Sequence, residues 1–273
     1  ISGGGSLLQD VTSVRNVVYY TALIRFAQFA RKPVMIYAHG VGPLQKPLSQ
    51  KLARIAIQRA RVVTVRDDDS KALLRRIGVR REIEVTADPV WALKPDGGQD
   101  NGQVLTWTVA LRSWPGENGQ DAIARGLRAI RSAAQAAGAR LRFLPMQPAA
   151  DRPLIEAHGV PAEEIVATSN LHPRAIMAVA GRCDLMIAMR LHALIFAAAQ
   201  GVPCVAVNYD PKVAALAQLL GAPLIANASE SEWAKLPEAS AAARPIPAAL
   251  LTELQAKAHR NAELAAGLLM SKI

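Results

Sequence analysis

The segment DLMIAMRLHALIFAAAQGVPCVAV, residues 184–207, decides the fold. It opens on a short apolar run (184–188), continues into a helix-length run near 191–200 and closes on a second short run at 203–207. Short strand, helix and short strand in succession make a unit whose two strands run parallel. Working outward toward the C-terminus, a helix is expected near 212–220, a strand near 223–225 and, after a Pro/Ala-rich stretch at 237–247, a last helix near 248–269. Toward the N-terminus the same alternation predicts strands near 104–111, 140–144 and 164–167, with helices near 121–137 and 172–181. Earlier still come an amphipathic helix over 14–31, a strand at 33–37, a helix at 48–60, a strand at 62–65, a helix at 69–77 ended by Gly78, and a strand at 83–85. Residues 93–103 are turn formers throughout and read as a linker. The reading is α/β with parallel sheets: two Rossmann-like domains facing across a cleft, 1–92 and 104–247, and a C-terminal helix within 248–273.

Composition narrows the classes. Of 273 residues, 51% are apolar and 20% charged, which excludes a disordered chain. Aromatics at 4% leave little material for stacking single-stranded bases, and no motif supports nucleic acid. Cys183 and Cys204 sit singly in apolar runs without a CxxC, so neither a metal site nor a disulfide is expected, and a reducing cytoplasm fits best. No apolar segment approaches the ~20 residues of a membrane span. The net charge of +10 is uneven: residues 46–81 hold eleven Lys/Arg against Asp67, Asp68 and Asp69, net +8. That patch reads either as a solvated basic face or as a contact with an anionic membrane surface.

Chemistry is sought where strands end, because α/β proteins place ligands there. Gly3-Gly4-Gly5-Ser6 stands between a strand end and a helical run, where backbone N–H groups can meet an anion or simply turn the chain. A strand and helix are expected before it, so the N-terminal part reads as incomplete. His39-Gly40-Val41-Gly42-Pro43 follows a buried strand, and its glycines allow close backbone approach. Arg66 ends the strand 62–65, either pairing with one of Asp67–Asp69 or turned toward the cleft. Arg112 leaves the strand ending at Leu111 and can grip a carboxylate or phosphate. The strongest cluster is Arg190-Leu191-His192, where guanidinium, imidazole and a helix N-terminus make a compact anion site, or a cap and a packed His. Between residues 165 and 229 the only acidic residues are Asp184 and Asp210, which suits a multiply charged small anion better than a nucleotide sugar.

Six motifs in order, Ser2-Gly3-Gly4-Gly5-Ser6-Leu7-Leu8-Gln9-Asp10, Gly40-Val41-Gly42-Pro43, Val65-Arg66-Asp67 with Ser70, Asp88-Pro89-Val90, Leu111-Arg112 and Met189-Arg190-Leu191-His192, resemble the polysaccharide pyruvyl transferases, the bacterial CsaB type above all. The resemblance covers nearly all of residues 1–225. It implies a GT-B-like fold and transfer of a pyruvyl group from phosphoenolpyruvate to a sugar as a cyclic ketal, with no cofactor or metal. For the CsaB type it implies β-N-acetylmannosamine of a lipid-linked cell-wall polymer precursor as acceptor, at the inner face of the cell membrane, and a product that anchors S-layer proteins. It makes Arg190 and His192 the catalytic pair, and Arg112, Arg190, Leu191 and His192 the phosphoenolpyruvate site. Gly4, Gly5, Ser6, Gly40, Gly42 and Arg66 fall on the acceptor side. His39 stands where relatives are expected to have Gln and receives no role. Arg190→Ala and His192→Ala are each expected to abolish turnover with the fold intact. The alternatives are a GT-B glycosyltransferase using a nucleotide sugar, and a non-catalytic basic module that binds membrane or polymer.

Overall fold

A computed structural model describes residues 1–2, 7–11, 13–97, 104–113, 119–227 and 229–270. The chain divides into two compact units, Ile1–Ala92 with Ala249–Ile273, and Leu93–Ala248. The reading of the last helix as a separate element gives way here: it belongs to the first unit.

In the first unit, α1 (Val14–Phe29), β1 (Met35–His39), α2 (Pro47–Gln58), β2 (Val62–Val65), α3 (Asp68–Arg76) and β3 (Glu84–Val85) alternate along the chain. The strands pair in parallel in the order β1-β2-β3, and Ser2 adds a parallel bridge to Tyr37 beyond β1. Ile36, Val63 and Val65 are buried with Ile57 and Leu74 from the covering helices. Asp67 caps α3 by accepting from Ser70 N–H, Asp68 and Asp69 occupy its first turn and Arg75 and Arg76 its last, so charge follows the helix dipole at both ends. One expectation fails: α1 is not amphipathic. It buries Val17, Thr21 and Ile24, yet Val18, Tyr19, Leu23, Phe26 and Phe29 are exposed on its other side.

The second unit contains β4 (Thr106–Ala110), α4 (Gly119–Ala137), β5 (Arg140–Phe143), α5 (Pro148–Ala157), α6 (Pro173–Gly181), β6 (Leu185–Ala188), α7 (Leu191–Ala198), β7 (Cys204–Val207), α8 (Pro211–Leu220), β8 (Leu224–Ile225), α9 (Glu230–Trp233) and α10 (Leu236–Ala242). Its five strands are all parallel, in the order β5-β4-β6-β7-β8. The core lies between the sheet and α4, whose Ile123, Leu127, Ile130 and Ala134 recur at helical spacing against Val109, Phe143 and Ile187.

Three segments differ from the sequence reading. The strand expected at 164–167 is reduced to an isolated bridge from Ile165 to Phe143, preceded by a single 3-10 turn. α5 goes unread because Pro148 and Pro153 look like breakers. Pro148 is in fact the first helical residue, where a missing N–H costs nothing. α10 lies within the stretch read as irregular, its alanines outweighing Pro237 in the first turn. Of the expected linker, Leu93–Gly97 belong to the second unit, with Asp96 ion-paired to Arg174 at 3.0 Å, and residues 98–103 lie outside the described residues. No helix of the described residues is long and apolar enough to cross a membrane.

The last helix, α11 (Ala248–Met270), returns to the first unit and is locked there by a buried amide. Asn261 Oδ1 accepts from Thr64 Oγ1 at 2.7 Å and from Thr86 Oγ1 at 2.9 Å, while its Nδ2 donates to Ala87 O at 3.3 Å. Thr64 Oγ1 in turn accepts from Ala38 N–H at 2.7 Å, where β1 breaks register with β2. Asn261→Leu keeps the volume and removes every bond that the amide makes, so a loss of roughly 2–4 kcal/mol is expected in denaturant titration. A loss below about 0.5 kcal/mol would show the network to be dispensable.

Candidate active site

The chain leaves β4 outward to β5, then returns to β6 on the other side of β4 and continues to β7 and β8. The winding therefore reverses between β4 and β6, and the C-terminal ends of strands at such a switch point are where open α/β sheets bind ligands. Ala110 on β4 is in register with Ala188 on β6, and Met189 N–H donates to Ala110 O at 3.0 Å. Arg112 and Arg190 each stand two residues past that pair, on strands about 4.8 Å apart. Leu191 and His192 follow as the first two residues of α7, both half-buried. The structure thus brings Arg112, Arg190, Leu191 and His192 to the switch point of one sheet.

Both arginines are held, each by a residue two strands away. Arg190, the N-cap of α7, donates from Nε to Asp151 Oδ2 at 3.1 Å and from Nη2 to Oδ1 of the same carboxylate. The Asp151 side chain is 1% exposed, and its Oδ2 also accepts from Gln147 N–H at 2.8 Å. The rest of the Arg190 fork, Nη1 included, makes no hydrogen bond among the described residues, and the side chain is 14% exposed. A carboxylate that grips one edge of a guanidinium fixes the plane in which the other edge meets a ligand. Arg112 lies 4.4 Å over the ring of Tyr209, just beyond β7, and its Nη1 donates to the Tyr209 hydroxyl at 2.8 Å. Its Nε is buried without a hydrogen-bond partner among the described residues.

Asp151 corrects the expectation of a site poor in carboxylates. It comes from α5, whose two prolines hide it in the sequence, and lies outside residues 165–229. The two acids inside that window serve the fold: Asp184 accepts from Thr106 N–H at 2.7 Å, and Asp210 caps α8 through Lys212 N–H at 2.9 Å. Tyr209 was also missed, although its place directly after a strand and before a capping Asp was a usable signal. The Arg190–Asp151 pair argues against the expectation that Arg190→Ala spares the fold, because that change leaves Asp151 buried without its counter-charge.

In the first unit the motif residues converge at the C-terminal ends of β1, β2 and β3, and they interlock. Arg66 packs so closely on Gly40 that a Cβ there would stand 2.6 Å from its Nε, which is why residue 40 has no side chain. The guanidinium pairs with Asp88 at 3.1 Å and with Asp67 at 3.4 Å, and the side chains of Arg66 and Asp88 are 7% and 6% exposed. The ion pair expected for Arg66 is present, to Asp67, and Asp88 is its shorter-range partner. Gly42 has φ +97° and leaves room for Leu73. Val41 N–H donates to Ser70 Oγ at 2.9 Å and Gly42 N–H to Leu8 O at 2.8 Å. Gly4, Gly5 and Ser6 lie outside the described residues. No group of three His, Cys, Asp or Glu able to hold a metal occurs among the described residues.

The model of the polysaccharide pyruvyl transferase family matches residues 1–211, most of the first unit and the switch-point residues of the second. The chain belongs to this family. Solved structures share the fold of the transferase at low identity. The UDP-GlcNAc 2-epimerase of Methanocaldococcus jannaschii has 11% identity and a TM-score of 0.63 over 90% of this chain and 74% of that one. An α,α-trehalose-phosphate synthase (UDP-forming) from Burkholderia vietnamiensis has 12% identity and a TM-score of 0.51 over 94% and 73%. Anabaena Alr3699/HepE, in complex with UDP and glucose, has 15% identity and a TM-score of 0.50 over 93% and 75%. Such likeness shows the fold alone, GT-B-like with two Rossmann-like units, and fold does not carry substrate.

Proposed function

We propose that the transferase moves the pyruvyl group of phosphoenolpyruvate onto two hydroxyls of one sugar, forming a cyclic ketal and releasing phosphate. The observation that supports this is the convergence of Arg112, Arg190 and His192 at the N-terminus of α7, on the switch point of the five-stranded sheet. Phosphoenolpyruvate carries a carboxylate and a phosphate on three carbons, and two guanidiniums brought to one switch point can each take one of the two anionic groups. In the first step C3 takes a proton while a sugar oxygen bonds to C2, its own proton leaving to a base. In the second, the C2–O bond to phosphate breaks as a second sugar oxygen bonds to C2; phosphate departs with the electron pair, and the proton of that second hydroxyl passes to a base or to the departing phosphate. His192 transfers a proton or holds the phosphate, and the free edge of Arg190 with Arg112 stabilises the charge that collects on the leaving group. The steps balance without a cofactor. By the CsaB-type motif order, the acceptor is β-N-acetylmannosamine on a lipid-linked polymer precursor, with the 4- and 6-hydroxyls as attacking groups.

Thermal-shift titration tests the donor directly. A ligand at 100 times its dissociation constant stabilises by about 2.7 kcal/mol, a rise in Tm of roughly 5–10 °C for a unit of this size. Phosphoenolpyruvate is expected to produce that rise in the wild type and little in Arg112→Gln, a variant that strands no buried charge. Stabilisation by UDP-N-acetylglucosamine and none by phosphoenolpyruvate would overturn the assignment in favour of a nucleotide-sugar enzyme.

A further inference from the structure

One side chain of α11 reaches the ends of the strands in the first unit. Asn261 is fully buried, and its Oδ1 accepts from Thr64 on β2 and from Thr86, one residue past β3. Its Nδ2 donates to Ala87 O, and to Lys257 O and Ala258 O of its own helix at 3.3 and 3.2 Å. Backbone carbonyls only accept, so the amide has one orientation, with its oxygen toward the two hydroxyls. Thr64 Oγ1 accepts from Ala38 N–H and has one proton of its own to give. Asn261 Oδ1 at 2.7 Å is nearer to it than Ile36 O at 3.2 Å. What Thr64 holds in turn is an unusual backbone: Ala38 has φ +45°, which a residue with a side chain rarely adopts. Three steps along β1, from Ile36 to His39, face two along β2, from Val63 to Val65, so β1 carries one extra residue there. An inserted residue reverses the alternation of side chains beyond it, and what lies beyond is the buried His39 and then Gly40, on which Arg66 packs. The other two strands lead to the same place. Thr64 stands two residues before Arg66, and Ala87 directly before Asp88, the carboxylate that pairs with Arg66.

We infer that Asn261 is a positioning residue for the acceptor side of the reaction. Through Thr64 it holds Ala38 in the left-handed conformation, and with Thr86 and Ala87 it sets where Gly40, Arg66 and Asp88 meet. A staple for α11 alone would need one of these strands and no residue at positive φ. A buried amide with every bond made is rigid, and rigidity at three strand ends is what a loop that must meet a ligand in one geometry requires. The role falls to a helix beyond residues 1–211, outside the motifs by which the family is read. That the loop serves the acceptor rests on the proposed function; that Asn261 holds the loop rests on the hydrogen bonds alone.

Hydrogen exchange of the full chain, read by mass spectrometry on peptides covering residues 36–44, tests the positioning without substrate. Ala38 N–H donates to Thr64, Val41 N–H to Ser70 and Gly42 N–H to Leu8, so exchange there reports the loop directly. Asn261→Leu and the milder Thr64→Val, which changes no charge and little shape, are each expected to speed it about ten-fold or more. Exchange in α2 and in β4 should not change, and Thr64→Ser, which restores the hydroxyl, should restore the protection. Steady-state kinetics then show which substrate feels the change. With phosphoenolpyruvate as donor and a soluble β-N-acetylmannosamine glycoside as acceptor, Thr64→Val should lower kcat/KM for the acceptor about ten-fold and leave KM for phosphoenolpyruvate within about two-fold of the wild type. Wild-type exchange over 36–44 in Thr64→Val, or in an Asn261→Leu chain that folds, overturns the proposal. So does an equal rise across the whole first unit, which is what a merely structural residue produces, and so does a KM for phosphoenolpyruvate that rises as far as the acceptor's. A wild type that releases no phosphate from phosphoenolpyruvate overturns the proposed function instead, and the exchange result still decides the role of Asn261.

Discussion

Arg190→Ala is expected to cost stability as well as turnover. Asp151 has one backbone N–H partner besides Arg190 and almost no water, so removing the guanidinium leaves a buried carboxylate without its counter-charge. Breaking such a pair from one side costs about 3–5 kcal/mol, roughly 10 °C or more in Tm for a unit of this size. Loss of activity in this variant would then say little about chemistry. The informative comparison is the double variant Arg190→Leu/Asp151→Leu, which removes both charges at similar volume. It should recover most of the melting temperature and none of the phosphate release, and that split separates the structural share of Arg190 from its share in the reaction. Arg190→Lys retains charge and loses the two-bond fork, so it should fall between wild type and alanine in both measurements. If Arg190→Ala melts with the wild type, Asp151 is not the group that holds it.

The second large effect is expected at His192, and here the fold should be spared. His192 is half-buried on the first turn of α7, so His192→Ala should melt within a few degrees of the wild type. Phosphate release should fall by about 10²–10⁴-fold, the usual worth of a positioned proton-transfer group. The distribution of that loss assigns the role. A fall in kcat at unchanged KM for phosphoenolpyruvate identifies proton transfer, whereas a rise in KM identifies a phosphate ligand. Release at near the wild-type rate would remove His192 from the reaction.

The alternation of short apolar runs with helix-length ones made the parallel sheets legible, since each strand buried on both faces is a nearly unbroken apolar stretch such as Leu185–Ala188. Arg112, Arg190 and His192 were legible for the same reason: a strand's C-terminal end is visible in sequence, and the candidate site lies there. What joined them to their partners was not. Asp151 sits in a helix that carries two prolines, and nothing local distinguishes a proline at the first helical position from one that ends a helix. Arg66 has three aspartates immediately after it in sequence, yet its shorter contact is to Asp88, beyond the neighbouring strand. The outward apolar side of α1 was hidden by averaging, because a helix apolar on two sides has the same content as one that is half-buried in the ordinary way.

The return of α11 to the first unit also sets an order of assembly on the ribosome. The chain of the second unit, Leu93–Ala248, is continuous and is fully synthesised before any residue of Ala249–Ile273. The first unit, begun earlier, must wait for the last 25 residues before Asn261 can reach Thr64 and Thr86. At about 5–20 residues per second that wait lasts on the order of seconds. Through it the earlier-made half of the molecule is the less complete one, and its β2–β3 hydroxyls are exposed to whatever else can bind them. A chain truncated after residue 248 therefore contains every residue of the second unit and a first unit that cannot close.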